Sequence, residues 1–326
     1  MQGMLNLMAA IAVTLSIVAP GVSAAQPFPS RQVTLVVPYA PGGGHDALAR
    51  MLAERLSPRL GQTIIVENRA GANGMIGAEH VARAAPDGHT ILFASPAEIV
   101  IAPSAYKSLR YDPLKDLAPV TLAGITPLVI VAHPSTGVKN LPELIAFTRR
   151  NPGKVSFGSA GNASSQHLAG AWINNLAGID MQHIPYKGAG PATTDVLGGQ
   201  IQFAILGMAP VLPHIQQGKL VPVAVTTPER VVWAKDVATV AETPGMKGFE
   251  VSHWMGVLVP AGTPAEIVSR LQADIAAVLN SPEMRDRMAK LGVDPVGNSS
   301  AEFRAYLAAE KERFEKMFKL AGLAPE

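Results

Sequence analysis

The 326-residue chain has no cysteine, which removes disulfides, thiolate metal sites and a cysteine nucleophile. Aromatic residues make up only 5%, too few for a platform on which bases or sugars would stack. Charge is sparse too: 16% of residues are charged, and 27 basic side chains face 25 acidic ones for a net of +2. That balance, with no basic run, carries no nucleic-acid footprint.

Before Arg31 there is no charged residue. Met4 to Ala19 is an apolar stretch broken by Asn6, Thr14 and Ser16, followed by Pro20-Gly21 and the small residues Val22-Ser23-Ala24-Ala25. This reads as an export signal covering residues 1–25, cut after Ala24 or Ala25. The apolar run falls short of the roughly 18 residues of a membrane span. One element of such a signal is missing, since Met1-Gln2-Gly3 has no Lys or Arg; a retained anchor is the alternative.

Several chemical signatures are absent as well. No Gly-Lys-Ser/Thr follows a glycine loop, so there is no P-loop. No Gly-x-Ser-x-Gly elbow marks a serine hydrolase. The 8 histidines include no pair at i, i+4 on a helix with an acidic partner, so no metal is expected. The expectation is a protein that is no enzyme and needs no cofactor.

What is present is a packed α/β pattern. Hydrophobic residues reach 48%, and the roughly 300 residues after the leader suffice for two domains. Apolar β-branched runs alternate with helix-period segments from Val33 onward, as in a largely parallel α/β protein. Strands are expected at Val33 to Val37, Ile64 to Glu67, Ile91 to Ala94, Leu128 to Ala132, Val155 to Gly158, His183 to Tyr186, Phe203 to Leu206, Val221 to Val225 and Trp254 to Val259. Leu48, Leu52, Leu56 and Leu60 stripe one helix that Asp46 opens and Gly61 closes. After the last strand the chain is expected to be wholly helical, with a capping box at Thr263-Pro264-Ala265-Glu266, a start at Ser281-Pro282 and another box from Ser299 to Glu302. The chain is expected to cross between two lobes near Leu122 to Ile125 and near Ser252 to Gly256. That gives a first lobe of 26–123 plus 254–326 and a second of 124–253.

Two loops stand where a strand hands over to a helix. Pro41-Gly42-Gly43-Gly44-His45-Asp46 places several backbone N–H groups at a helix N-terminus, where free donors and the dipole favour an anion. Ser159-Ala160-Gly161-Asn162-Ala163-Ser164-Ser165 repeats the arrangement with hydroxyls and an amide; its simpler role is N-capping by Ser164 or Ser165. Two enzymatic readings compete. Gly42-x-Gly44-x-x-Ala47, with Glu67 ending the second strand, fits the spacing of a dinucleotide-dependent oxidoreductase. A serine hydrolase would use Ser159, Ser164 or Ser165 with His167 as base.

The phrases Pro41 to Asp46, Val66-Glu-Asn-Arg-Ala-Gly71 with Gly74 and Ile76-Gly77-Ala78, Ala85-Pro-Asp-Gly88 and Tyr111-Asp-Pro-Leu-Lys-Asp116 occur in order along the chain. Gly158-Ser-Ala-Gly161, Pro185-Tyr-Lys-Gly188 and Val259-Pro-Ala-Gly-Thr-Pro264 follow them. Together they resemble the Bug family, the extracytoplasmic receptors of tripartite tricarboxylate transporters. The resemblance implies a type II-like periplasmic-binding-protein fold, with two α/β lobes joined by two crossover strands. It further implies a monomeric periplasmic protein that holds a small carboxylate between the lobes for a membrane permease; a sensor of carboxylates acting on a kinase is the alternative role. Carried onto this sequence, ligand-binding roles fall to Tyr39, Ala40, Gly42, Gly43, Gly44, His45 and Asp46, with Ser95, in the first lobe. In the second they fall to Ser159, Ala160, Gly161, Asn162, Ser164, Ser165, His167, Tyr186, Lys187 and Gly188. Two positions depart from the pattern: His45 replaces a small or hydroxylic residue, and Leu206-Gly207-Met208 stands where an acidic residue followed by Asn is frequent. An aspartate there would suit a ligand ammonium group, so its absence argues against an amino acid.

Overall fold

A computed structural model describes residues 28–231 and 234–325. The expected export signal therefore lies outside the described residues. In chain order the elements are β1 (Val33–Val37), α1 (Gly44–Leu60), β2 (Ile64–Asn68), α2 (Met75–Ala82), β3 (Thr90–Ala94), α3 (Ala102–Ala105) and β4 (Leu117–Ala132). Then come α4 (Leu141–Arg150), β5 (Ser156–Ser159), α5 (Ser165–Ala177), β6 (Gln182–Pro185), α6 (Ala189–Leu197), β7 (Phe203–Gly207), α7 (Met208–Gln216) and β8 (Val221–Val225). The chain closes with β9 (Ser252–Pro260), α8 (Ala265–Leu279), α9 (Pro282–Lys290), β10 (Asp294–Pro295) and α10 (Ser300–Leu320).

The strands run in the order β2-β1-β3-β9-β4-β7-β5-β6, with β8 and β10 also pairing with β4. Within each half the strands linked through helices are parallel, β1 to β2 and β3, and β5 to β6 and β7. β4 belongs to both halves. From Leu117 to Pro127 it runs antiparallel to β9, and from Leu128 to Ala132 it pairs with β7 and β8. The strand expected at Leu128 to Ala132 is thus the far end of one 16-residue strand. Its partner changes at Pro127, a few residues beyond the expected crossing. Pro119, Gly124 and Pro127 are poor strand residues, and register shifts at Pro119/Thr121 and Leu122/Gly124 absorb two of them. Pro127 sits where one ladder ends and the next begins, where a missing N–H is tolerated. β9 starts at Ser252 and runs antiparallel to β3 and β4.

The expected leucine stripe of α1 is buried at Leu48, Leu52, Leu56 and Leu60, and Gly61, at φ 72°, closes the helix by donating its N–H to Ser57. Each such side chain removed from water contributes about 1.5–3 kcal/mol. The C-terminal region departs from expectation twice. It is not wholly helical, because Asp294 and Pro295 form a short antiparallel pairing with Ile125 and Gly124. The capping box at Thr263 does not form: Pro264 is the N-cap, and the Thr263 hydroxyl donates to the Pro260 carbonyl at 2.7 Å instead. Pro264 takes an extended ψ of 137°, which sets the helix start one residue later. The Ser299–Glu302 box does form. α10 then packs on β4 and α3 of the first half and on α5 of the second. Its Phe303 ring fills the space beside Gly256, where a Cβ would lie 2.2 Å from the ring. Among the described residues no helix is long and apolar enough to cross a membrane.

Candidate ligand site

Four helices of this fold begin around one cavity. α1 starts after Gly43, α5 after Ser164, α6 after Gly188 and α7 after Gly207. Gly43, Gly44 and His45 line the cavity from α1, Ser164 and Gln166 from α5, Ala189 from α6, and Gly207, Ala209 and Pro210 from α7. Only Ser164 caps its helix with a side chain, accepting from His167 N; the three glycine caps have no side-chain hydrogen bond. A glycine cap leaves the first-turn N–H groups to whatever occupies the cavity, and the positive dipole ends add to their pull on an anion. Proline at the third position of α6 and α7, Pro191 and Pro210, removes one donor from each set.

The floor of the cavity comes from the two strands that join the halves. Thr126 of β4 and His253 of β9 are register partners, and both line it, with Met255, Ala97, Tyr39 and Ala160 completing the wall. No Asp, Glu, Lys or Arg is among the lining residues. The space open to the centre of a water-sized sphere is about 30 Å³, room for roughly two small polar groups. A second, wider cavity of about 240 Å³ lies alongside, sharing Tyr39 and Ala160 as walls and adding Gly71 to Gly74, Tyr106, Gly161, Asn162, Pro185, Tyr186 and Lys187.

The halves touch over this site. Ala40 N donates to Lys187 O at 3.0 Å. A Cβ on Gly190 would lie 2.6 Å from Pro41 O, and one on Gly161 would lie 2.6 Å from Asn73 Oδ1. Glycine at 190 lets two backbones approach this closely, and glycine at 161 leaves room for the Asn73 side chain. On the floor, Ser165 Oγ and His253 Nδ1 are 2.9 Å apart.

Of the residues expected from sequence, Tyr39, Gly43, Gly44, His45, Ala160 and Ser164 reach the inner cavity, and Gly161, Asn162, Tyr186 and Lys187 the outer one. The others line neither cavity. Asp46 lines neither cavity: its carboxylate accepts from Gly42 N at 3.2 Å, Arg50 Nε at 3.1 Å and Asn68 Nδ2 at 3.0 Å. Burial works to raise its pKa, but these bonds outweigh it and hold the group below the usual carboxylate range. Its task is to brace the glycine loop. Gly42 supplies the turn at φ 86°. Ser95 is fully buried, 2.7 Å from the Tyr39 hydroxyl and bonded to Glu98. Ser159 bonds to the Gly161 carbonyl and to His183. His167 faces away from the cleft, stacked on His183 at 3.8 Å, and its Nδ1 accepts from Ala163 N. Gly188 packs on Tyr39 and Ala40 and caps α6.

Among the lining residues that escaped the sequence reading, two sets matter most. Gly207, Ala209 and Pro210 follow the same strand-glycine-helix grammar as the first loop, but a single glycine gave a weaker signal than three. Thr126 and His253 sit inside strands, where nothing local marks them.

The electrostatics of the site follow from burial. His45 is lowered to about 4 by desolvation, against a smaller upward effect of the Ala94 backbone. His253 is driven well below the usual histidine value by burial and by the neighbouring His45, whose ring centre is 5.0 Å away. Both are neutral at pH 7. Behind Tyr39, fully buried Glu98 is pushed up to about 7 by desolvation, although Ser95 and Tyr39 hydrogen bonds work the other way.

The two halves, the two joining strands and the cavity between them define a two-lobed binding protein of the periplasmic type. The chain belongs to the tripartite tricarboxylate transporter family receptors, whose family model matches residues 48–323. It is 36% identical to Protein BugT of Bordetella pertussis over 325 residues, covering 98% of this chain and 99% of that one. The solved R. palustris protein Rpa4515 with adipate is 34% identical with a TM-score of 0.88, over 92% of this chain and 100% of that one. MatC of Rhodopseudomonas palustris with bound malate is 31% identical with a TM-score of 0.84, over 89% and 99%.

Proposed function

We propose that the exported chain captures a small carboxylate between its lobes, does no chemistry on it, and presents the closed form to the membrane permease of a tripartite transporter. The observation that carries this reading is the convergence of four helix starts, three of them without side-chain caps, on one cavity lined by no charged side chain. Each helix end contributes about 0.3–1 kcal/mol toward an exposed anion and up to about 2 kcal/mol when partly buried. Several together give useful affinity without a cation. Relatives solved with adipate and malate support the carboxylate. The carboxylate head lies at the helix starts, and the rest of the ligand extends past Tyr39 and Ala160 into the outer cavity, where Lys187 stands at the rim.

The lobes are taken as 26–123 plus 254–326 and 124–253, with β4 and β9 as the hinge and the molecule acting as a monomer in the periplasm. A ligand binds one lobe first, and closure brings up the donors of the other. The dinucleotide reading has little room, because Gly190 lies so close over the loop that a Cβ there would be 2.6 Å from Pro41 O and 3.1 Å from Gly42 C. The hydrolase reading lacks its geometry. The Ser164 hydroxyl donates to Gly161 O, Ser165 pairs with His253 and Ser159 with His183, while the His167 imidazole accepts from Ala163 N and pairs with none of the three hydroxyls.

Thermal-shift and calorimetric screening of the mature protein against di- and tricarboxylates, aromatic acids, amino acids and NAD tests the proposal. A carboxylate at 100 times its Kd is expected to add about 2.7 kcal/mol of stability without turnover. Stabilisation by NAD alone would sink the reading.

A further inference from the structure

The helix starts account for a carboxylate but give His45 nothing to do. The ring is 8% exposed, lines the inner cavity, and has an Nε2 without a hydrogen-bond partner. Its ring neighbours are Tyr39, Phe93 and His253, at 5.1, 5.8 and 5.0 Å, none of them a charge partner. Three other polar side chains of this cavity are engaged. Thr126 Oγ1 donates to Gly292 O, Ser164 Oγ donates to Gly161 O, and His253 Nδ1 meets Ser165 Oγ.

A neutral imidazole has one donor and one acceptor nitrogen. The backbone group acting on the His45 ring is that of Ala94, and it favours the proton, as a carbonyl acceptor does. With the proton turned toward Ala94, the other nitrogen offers a lone pair. A lone pair repels a carboxylate oxygen and welcomes a donor. An ammonium donor would lack a counter-charge, since no acidic side chain lines the cavity. An uncharged hydroxyl satisfies both the lone pair and the apolar wall.

Resting on the carboxylate reading above, we propose that His45 is the specificity-determining residue of the inner cavity: it accepts a hydrogen bond from a ligand hydroxyl, so the chain prefers hydroxycarboxylates to their unsubstituted parents. A ligand without the hydroxyl leaves a buried acceptor unpaired on closure, which weakens binding by about tenfold or more.

The test is isothermal calorimetry on the mature protein with three matched pairs: malate and succinate, 3-hydroxybutyrate and butyrate, mandelate and phenylacetate. Wild type is expected to bind the hydroxylated member at least about tenfold more tightly in the pair it accepts best. His45→Leu removes the acceptor and is expected to bring the two members within about twofold, whereas His45→Gln, whose amide oxygen still accepts, keeps part of the preference. Equal binding within a pair by wild type overturns the inference, and so does an undiminished preference in a folded His45→Leu; the wild-type comparison stands even if that variant does not fold. Binding of other carboxylates while all six fail also overturns it and leaves the carboxylate reading intact. Failure of every carboxylate in the wider screen removes both.

Discussion

The proposed closure of the lobes puts its tightest backbone-to-backbone demand on Gly190, the second residue of α6. A methyl group added there lies 2.6 Å from Pro41 O, 3.1 Å from Gly42 C and 3.3 Å from Gly43 N, all backbone atoms of the opposite lobe. Ordinary contact begins near 3.4 Å, so the loop or the helix must give by most of an ångström. Neither is free to move. The loop is tied by Gly42 N to Asp46 and by Ala40 N to Lys187 O. Overpacking by one methyl costs about 1–3 kcal/mol, and that cost falls on the closed form alone. Alanine's helix preference over glycine, about 1 kcal/mol, favours open and closed forms alike and cancels from binding. Gly190→Ala is therefore expected to weaken carboxylate binding about five- to 150-fold, and Gly190→Val to weaken it further. Calorimetry gives the affinity, and the unliganded melting midpoint gives the control. Binding within twofold of wild type would show that the loop does not meet α6 in the liganded state. A fall of several degrees in the unliganded midpoint would show that the contact exists without ligand, against a closing hinge.

Glu98 has a folded-state pKa raised to about 7 from 4.5, so between those values the native state holds the extra proton. Its contribution is greatest below pH 4.5 and declines as pH rises to 7, by about 3 kcal/mol at most. Urea unfolding from pH 4.5 to 8 is expected to show Glu98→Gln gaining on wild type as pH rises; parallel profiles refute this. The buried histidines act in the opposite sense. His45 and His167 fall to about 4 from 6.5, so their contribution is complete above pH 6.5 and is lost as pH drops toward 4, and comparison with the Gln variant at each pH separates the two trends. At the other end of the chain, Ser299→Ala removes the hydroxyl that accepts from Glu302 N and is expected to lower stability by about 1 kcal/mol in urea unfolding.

Most of the fold was legible because its signals are local. Leucines four apart, a glycine at a helix end and β-branched runs between turn residues each report on a single element. The misreadings concern elements defined by partners far away in sequence. β4 is one strand only because β9, β7, β8 and β10 support its successive segments, and no window around Pro119 or Pro127 contains that information. The site divides along the same line. The loops at Gly43 and Gly161 announce themselves by composition. Thr126 and His253 become floor residues only because two strands 127 positions apart in sequence lie in register.

The same distinction sharpens what the Leu206-Gly207-Met208 segment means for the ligand. Leu206 is fully buried in the second lobe's core with Val129, Val131 and Ala204, while Gly207 lines the inner cavity and caps α7. An acidic side chain carried at this corner would sit beside the helix starts and supply a counter-charge for a ligand ammonium. Here the corner supplies backbone alone. The charges facing the inner cavity are then the positive ends of helix dipoles, beside two histidines that burial keeps neutral and no acidic side chain. An amino-acid zwitterion entering it would gain at its carboxylate and lose the hydration of its ammonium without replacement. The cavity is therefore expected to discriminate by what it omits, binding anionic ligands with uncharged substituents more tightly than zwitterions of the same size, which calorimetry with matched pairs checks.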